Sequence, residues 1–302
     1  MSTDRMTRES MTQASLGTRV PRNHESMNAI EVRGLRKRYG DTHAVQGIDL
    51  TVERGEVFAL LGPNGAGKTT TVEILEGHRD RDEGFVKVLG TDPGEAGRAW
   101  RARIGIVLQT ATDAAELTVR ETVRHFAGYY PRPRRVDDVI EVCGLAEKAD
   151  ARIRSLSGGQ RRRVDVALGI VGDPELLFLD EPTTGFDPQA RRQFWALVQT
   201  LAAEGTTIVL TTHYLDEAEA LADRLAVIAG GRIVAEGTPA TLGGRATAAA
   251  TVSWTDADGH HEISTDDPAG VVARLAGQAV SGLKVHQPSL EDVYLDLIGA
   301  TR

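Results

Sequence analysis

The nine residues Gly62-Pro63-Asn64-Gly65-Ala66-Gly67-Lys68-Thr69-Thr70 constrain this chain more than any other stretch. They follow the continuous apolar run Val57 to Leu61 and lead into a helical pattern from Thr70 to Glu76. An apolar run of that length reads as a strand buried on both faces. The stretch satisfies G-x-x-x-x-G-K-[ST] in full, in the strand–loop–helix setting that the pattern requires. Each part has a physical reason. Glycines let the backbone curl until successive N–H groups face one point, with no side chain in the way. The helix beginning near Lys68 adds roughly half a positive charge at that point. Lys68 can reach the β- and γ-phosphates of a nucleotide, and the Thr69 hydroxyl can bind magnesium. A plain glycine-rich turn would need neither.

A second buried strand, Leu176 to Leu179, runs into two carboxylates, Asp180 and Glu181. In a parallel sheet, ligands gather at the C-terminal strand ends. Neighbouring strand residues point to opposite sides, so the two carboxylates are expected to divide their work. Asp180 suits magnesium, held through water, and Glu181 suits a general base that polarises the attacking water. A helix cap is the plain alternative for such a pair, and the phosphate loop argues against it. Leu156-Ser157-Gly158-Gly159-Gln160 precedes another helix, giving a second glycine-assisted helix start with Ser157 as a hydroxyl donor. One nucleotide needs only one such site from each chain. Two chains placed head to tail would use both, with two ATP molecules in the interface. His213 follows the strand Thr207 to Thr211, where it could contact the γ-phosphate and the attacking water. Gln109 ends the strand Ile106-Val107-Leu108 and could reach magnesium or water. Tyr39 reads as packing by itself, yet its ring could stack on adenine.

Around these motifs the chain divides into regions. Residues 1–27 are polar and aperiodic and read as a disordered tail; all four methionines fall at 1, 6, 11 and 27, and the organised pattern begins just after Met27, which suggests Met27 as the natural start. Strand patterns dominate 28–108, helical ones 109–170, and strands alternate with helices over 171–238, including a helix from Pro188 to Ala203. This alternation predicts an α/β fold with a largely parallel core sheet. After a hinge at Gly237-Thr238-Pro239, a small α+β appendage is expected, with strands at Thr251–Trp254, Glu262–Ser264 and Gly282–His286 and helices near 269–277 and from 289. No apolar run approaches the roughly 18–20 residues that cross a bilayer, so a cytosolic chain is expected, with any membrane-spanning part in another polypeptide. A net charge of −8 argues against generic nucleic-acid binding. The single cysteine, Cys143, sits at the end of an apolar helix pattern and reads as core packing. His260 and His261 read as loop residues without further ligands.

Taken in order, these residues resemble the ATP-binding subunits of ABC transporters over about 28–238. Gly62–Thr70 looks like the Walker A loop, Leu156–Gln160 like the family signature, and Asp180 and Glu181 like Walker B and its catalytic glutamate. Gln109 matches the Q-loop glutamine, Asp187 the D-loop aspartate, His213 the switch histidine, and Tyr39 the A-loop aromatic. The D-loop departs from the usual pattern with Phe186 where leucine is common, a change of packing. The resemblance implies a P-loop ATPase domain with a mixed core sheet, a helical subdomain at about 110–160, and a small C-terminal domain at 239–302. It implies ATP with Mg2+, a sandwich homodimer closed by ATP, and peripheral attachment to the inner face of the membrane through a separate multi-spanning permease. The permease would dock in a groove beside the Q-loop, with contacts sought at Thr112 to Thr118.

Pro288-Ser289-Leu290-Glu291-Asp292-Val293-Tyr294 resembles the ending of drug-exporter ATPases of the daunorubicin-resistance type. That implies export of a drug-like, natural-product or lipid-like molecule. Three other readings compete. An importer ATPase fits the tail less well. A non-transport ABC ATPase would be expected to carry two cassettes or long coiled-coil insertions. A regulatory module without turnover would be expected to lose Glu181 or His213.

Overall fold

The computed structural model describes residues 27–107 and 116–299. Two long strands, β1 (Asn28–Tyr39) and β2 (Thr42–Glu53), form an antiparallel pair, and β3 (Val57–Leu61) runs into helix α1 (Lys68–Leu75). Strand β4 (Glu83–Val88) joins β1 on its other side, giving a three-stranded antiparallel sheet of order β2-β1-β4. A short helix α2 (Arg98–Arg101) leads to β5 (Ile104–Val107). Helices α3 (Val119–Ala127), α4 (Val136–Val142) and α5 (Gly158–Ile170) then form the helical region. Next come β6 (Leu176–Asp180), α6 (Pro188–Ala203), β7 (Thr207–Thr212), α7 (Leu215–Leu221), β8 (Arg224–Ala229) and β9 (Arg232–Gly237).

The six-stranded central sheet has the order β5-β6-β7-β3-β8-β9, parallel except for the last pair. Its two faces feed two separate cores, and the period of two along each strand assigns the residues. Val57, Ala59 and Leu61 of β3, with Leu177 and Leu179 of β6, face the helices α3 to α7. Phe58 and Leu60, with Leu176 and Phe178, face the antiparallel sheet, where Ile30, Val32, Ile48 and Leu50 meet them. Each such Val, Leu, Ile or Phe side chain contributes about 1.5–3 kcal/mol on burial. This explains why the core strands read as unbroken apolar runs: both faces are covered. The expectation of a largely parallel sheet holds for this central sheet, and the antiparallel sheet lies against it as a second layer.

The residues after β9 form β10 (Ala250–Asp256), β11 (Gly259–Thr265), α8 (Pro268–Leu275), β12 (Ser281–His286) and α9 (Leu290–Gly299). The sheet β11-β10-β12 has a small core of its own, Val252 and Trp254 against Val271 and Leu275. Helix α9 leaves that sheet, and its Leu290 and Tyr294 join Leu242 in the main core. His260 and His261 lie in strand β11, because the hairpin turns earlier, at 257–258. His261 stacks on Trp254 at 5.1 Å and contacts Asp256 at 2.9 Å, so it is a packing residue. Cys143 is buried, and desolvation pushes its thiol up to about 12. Among the described residues, no helix is long and apolar enough to cross a membrane.

Candidate active site

The strand order decides where the chemistry gathers. β6, β7 and β3 are neighbours and all parallel, so their C-terminal ends open on one edge of the sheet. The loop after β3 carries the glycines and Lys68, β6 ends in Asp180, and β7 ends in Thr212 just before His213.

Within the loop, Gly67 takes φ +108° as the cap of α1, and a Cβ there would lie 2.4 Å from the Ala44 carbonyl oxygen. A Cβ on Gly62 would lie 2.3 Å from the Ile228 carbonyl oxygen. Both positions therefore exclude a side chain by close backbone approach. Lys68 is buried, and its Nζ donates to the carbonyls of Gly62 at 2.7 Å and Pro63 at 3.2 Å. Desolvation lowers its pKa, against the attraction of Glu181 and Asp180. Pro63, Asn64 and Gly65 are exposed on the outer curve of the loop, Ala66 is buried, and Thr69 and Thr70 stand on the first turn of α1, with Thr69 exposed.

Glu181 is not the last residue of its strand. It takes φ +41°, a conformation rarely tolerated outside glycine. Its N–H donates to both the backbone oxygen and the Oγ1 of Thr211, each at 3.1 Å, which holds the turn in place. The separation of Asp180 and Glu181 thus comes from a left-handed residue held across the sheet, not from strand alternation. The turn brings Glu181 Oε1 to 3.9 Å from Lys68 Nζ and 3.3 Å from His213 Nδ1. Asp180 Oδ1 accepts from Thr211 Oγ1 at 2.5 Å.

Two residues of this site were not singled out in the sequence. Thr211 touches both carboxylate-bearing residues, and its only signal was a polar residue inside a buried strand pattern. Arg162, one turn into α5, is buried and donates to the carbonyls of Asp180 at 3.0 Å and Pro182 at 3.1 Å, tying the helix to the end of β6. Desolvation lowers its pKa, against the attraction of Asp165. Three consecutive arginines, 161 to 163, hid which one turns inward.

The second helix start is well formed. Ser157 caps α5, its hydroxyl accepting from Gln160 N–H at 3.2 Å, while Gln160 Oε1 accepts from Ser157 N–H at 3.0 Å. A Cβ on Gly158 would meet open space, whereas one on Gly159 would lie a tight 3.3 Å from the Ala190 Cβ. A cleft of 490 Å³ separates this helix start from Glu181, Pro182 and residues 184–186. Asp187 caps α6, accepting from the N–H groups of Gln189 at 2.9 Å and Ala190 at 2.8 Å. Tyr39, at the end of β1, is exposed, with the Arg79 guanidinium 5.3 Å and Lys37 Nζ 5.7 Å from its ring centre. Gln109 and most of the stretch Thr112 to Thr118 lie outside the described residues.

A family model described as ABC transporter matches residues 45–184. The chain is 42% identical over 301 residues to a Nod factor export ATP-binding protein I of Ralstonia nicotianae, covering 89% of this chain and 94% of that one. The chain belongs to the ABC transporter family. It is also 38% identical over 306 residues to a daunorubicin resistance ATP-binding protein of Streptomyces coeruleorubidus, covering 91% and 97%. Among solved structures, an ABC-transporter ATP-binding cassette in its ADP conformation superposes with a TM-score of 0.63 at 27% identity, over 70% of this chain and 92% of that one. A cbiONQ subunit from Clostridium perfringens gives 0.66 at 30% identity, over 71% and 90%. This ABC protein is therefore an ATP-binding and ATP-hydrolysing subunit of the export type, and such subunits work with a membrane permease.

The donor set near the phosphate loop suits Mg2+. It consists of oxygen donors, the Asp180 carboxylate and the exposed Thr69 hydroxyl, with no cluster of three His, Cys, Asp or Glu among the described residues. Mg2+ usually takes one or two protein oxygens and completes its shell with phosphates and water. Such an ion would neutralise charge on the phosphates when bound.

Proposed function

We propose that this ABC ATPase, held on the inner face of the cell membrane by a separate multi-spanning permease, drives export of a drug-like, natural-product or lipid-like molecule through that permease. Similarity to export ATP-binding proteins over nearly the whole chain supports that class. The observation that carries the catalytic reading is the cluster of Lys68, Glu181 and His213 at the edge where β3, β6 and β7 end.

In this reading the loop Gly62 to Thr70 cradles the phosphates with its N–H groups, and Lys68 leaves the Gly62 carbonyl to meet the β- and γ-phosphates. Thr69, Asp180 and Gln109 hold Mg2+. Glu181 accepts a proton from the attacking water as its oxygen bonds the γ-phosphorus and the bond to the bridging oxygen breaks, releasing ADP and phosphate. His213, 3.3 Å from Glu181, orients that carboxylate and contacts the γ-phosphate. Tyr39 stacks on the adenine. Ser157, Gly158, Gly159 and Gln160, with Asp187, meet the nucleotide held by a second copy, so two ATP molecules lie in a homodimer interface. An exposed, fully capped helix start with open space at Gly158 supports this role.

Glu181→Gln protein with ATP and magnesium tests the reading. It should lose turnover, persist as a dimer on size-exclusion chromatography, and capture one multi-spanning membrane protein from native membranes. Wild-type hydrolysis in that variant would remove Glu181 as the base, and capture of soluble factors only would favour a non-transport role.

A further inference from the structure

One aromatic ring beside the catalytic cluster has no assigned work. Tyr214 follows His213 directly, as the N-terminal cap of α7. Its ring centre lies 4.2 Å from that of the imidazole, with the two planes tilted by 39°. Neighbouring residues of an extended strand point to opposite sides, so their rings cannot meet. Here β7 ends at Thr212, whose Oγ1 accepts from Tyr214 N–H at 3.0 Å, and the chain turns. That turn, closed by a buried threonine, brings the two rings together.

The tyrosine ring is held in turn by α6. The Arg191 guanidinium lies 4.5 Å from the ring centre, within the range of a cation–π contact. Arg191 Nη1 also donates to Asp216 Oδ2 of α7 at 3.1 Å. One turn further along α6, Trp195 Nε1 donates to the buried Glu217 carboxylate of α7 at 3.3 Å. Helices α6 and α7 are thus tied at two points, which keeps the cation beside the ring. Tyr214 is half-buried and stands outside the main apolar core, against which its neighbour Leu215 packs. Filling that core is therefore not the work of this ring.

The imidazole needs such a support. His213 is exposed, and among the described residues its side chain makes one polar contact, with Glu181 Oε1 at 3.3 Å, and one ring contact, with Tyr214. A single polar contact fixes where Nδ1 stands and leaves the ring free to turn about it. A second ring packed against the imidazole fixes its plane. Side chains at a reacting centre work when the groups packed behind them hold them to within about 0.5 Å and 10–20°. We infer that Tyr214 and Arg191 are positioning residues for hydrolysis, the Arg191–Tyr214 stack setting the orientation in which the His213 imidazole meets Glu181. The inference rests on the reading of Glu181 and His213 as the hydrolytic pair.

Tyr214→Leu in the full chain removes the ring and keeps an apolar side chain. Its kcat should fall about 10- to 100-fold, with KM for ATP changed less than about threefold. Tyr214→Phe keeps the ring and should stay within about twofold of wild type. Arg191→Gln should lower kcat about 3- to 10-fold, the worth of one ring–cation contact, and add little to Tyr214→Leu because it acts through that ring. The ring-proton resonances of His213, assigned with His213→Gln in histidine-labelled protein, feel the ring current of Tyr214. They should move in Tyr214→Leu and hold in Tyr214→Phe. If the leucine variant does not fold, Arg191→Gln carries the test through its kcat and the same resonances. Wild-type kcat in Tyr214→Leu or in Arg191→Gln, a loss in Tyr214→Phe equal to that in Tyr214→Leu, or unmoved His213 resonances would overturn the inference. His213→Gln run in parallel separates the two failures: full turnover in that variant rejects the hydrolytic pair itself, whereas lost turnover there with a fully active Tyr214→Leu rejects only the positioning stack.

Discussion

Thr211→Val probes how the Asp180 carboxylate, proposed to hold Mg2+, is fixed. The Thr211 hydroxyl donates to Asp180 Oδ1 at 2.5 Å and accepts from Glu181 N–H at 3.1 Å, within a strand position that is 1% exposed. Valine has the same shape, so no cavity forms. It removes a hydrogen bond to a charged group, which costs about 1.5–3 kcal/mol. It also places a methyl group where the hydroxyl stood, 2.5 Å from Oδ1. A carbon and an oxygen need about 3.3 Å, so the carboxylate must retreat by somewhat under ~1 Å. Displacements on the order of 1 Å at a reacting centre cost about 100-fold in rate. Turnover should therefore fall between about 10- and 100-fold, with half-saturation by Mg2+ moved to higher concentration. Glu181 keeps its backbone bond to the Thr211 carbonyl, so the left-handed turn survives. Steady-state ATPase rates across a magnesium titration, with urea unfolding in parallel, read both effects. Thr211→Ser, which keeps the hydroxyl, should behave almost as wild type. A valine variant with unchanged kcat and unchanged magnesium dependence would refute the argument.

Other consequences can be read from single contacts. Gly62→Ala puts a Cβ 2.3 Å from the Ile228 carbonyl oxygen and 2.8 Å from its Cγ2, so the phosphate loop must shift; ATP affinity by calorimetry should drop more than about tenfold. Burial would raise the Glu175 carboxyl, yet hydrogen bonds from Arg103 and Arg54 outweigh it and bring it from 4.5 to about 2. That depression is worth up to about 3 kcal/mol, present above pH 4.5 and lost as pH falls toward 2. Glu175→Gln should therefore lower stability at pH 7 by roughly 2–3 kcal/mol and flatten its fall over that acid window in urea titrations. Cys143, with its thiol pushed up to about 12, should label with a maleimide only at the rate of unfolding; fast labelling of native protein would contradict its burial.

Much of the site was legible because its chemistry is local. The phosphate loop, the Asp180-Glu181 pair and the capped start at Ser157 each depend on consecutive residues, so spacing alone declares them. The core strands were equally plain, since Val57 to Leu61 and Leu176 to Leu179 are covered on both faces and admit no polar residue. His260 and His261 were misread as loop residues because two turn-forming aspartates, 256 and 258, blurred where the strand begins again.

What the sequence determined by itself was a set of local motifs: a phosphate-loop pattern, a carboxylate pair at a strand end, and a second glycine-assisted helix start. The tertiary structure decided which groups meet. Thr211 reaches Asp180 and Glu181 because β7 pairs with β6, 31 residues away for Asp180, and Arg162 reaches the same strand end because α5 packs beside it. The contact of Trp195 Nε1 with the buried Glu217 carboxylate depends on α6 and α7 packing together. Such contacts follow from strand order and helix packing across the whole sheet, and no short window of residues encodes them.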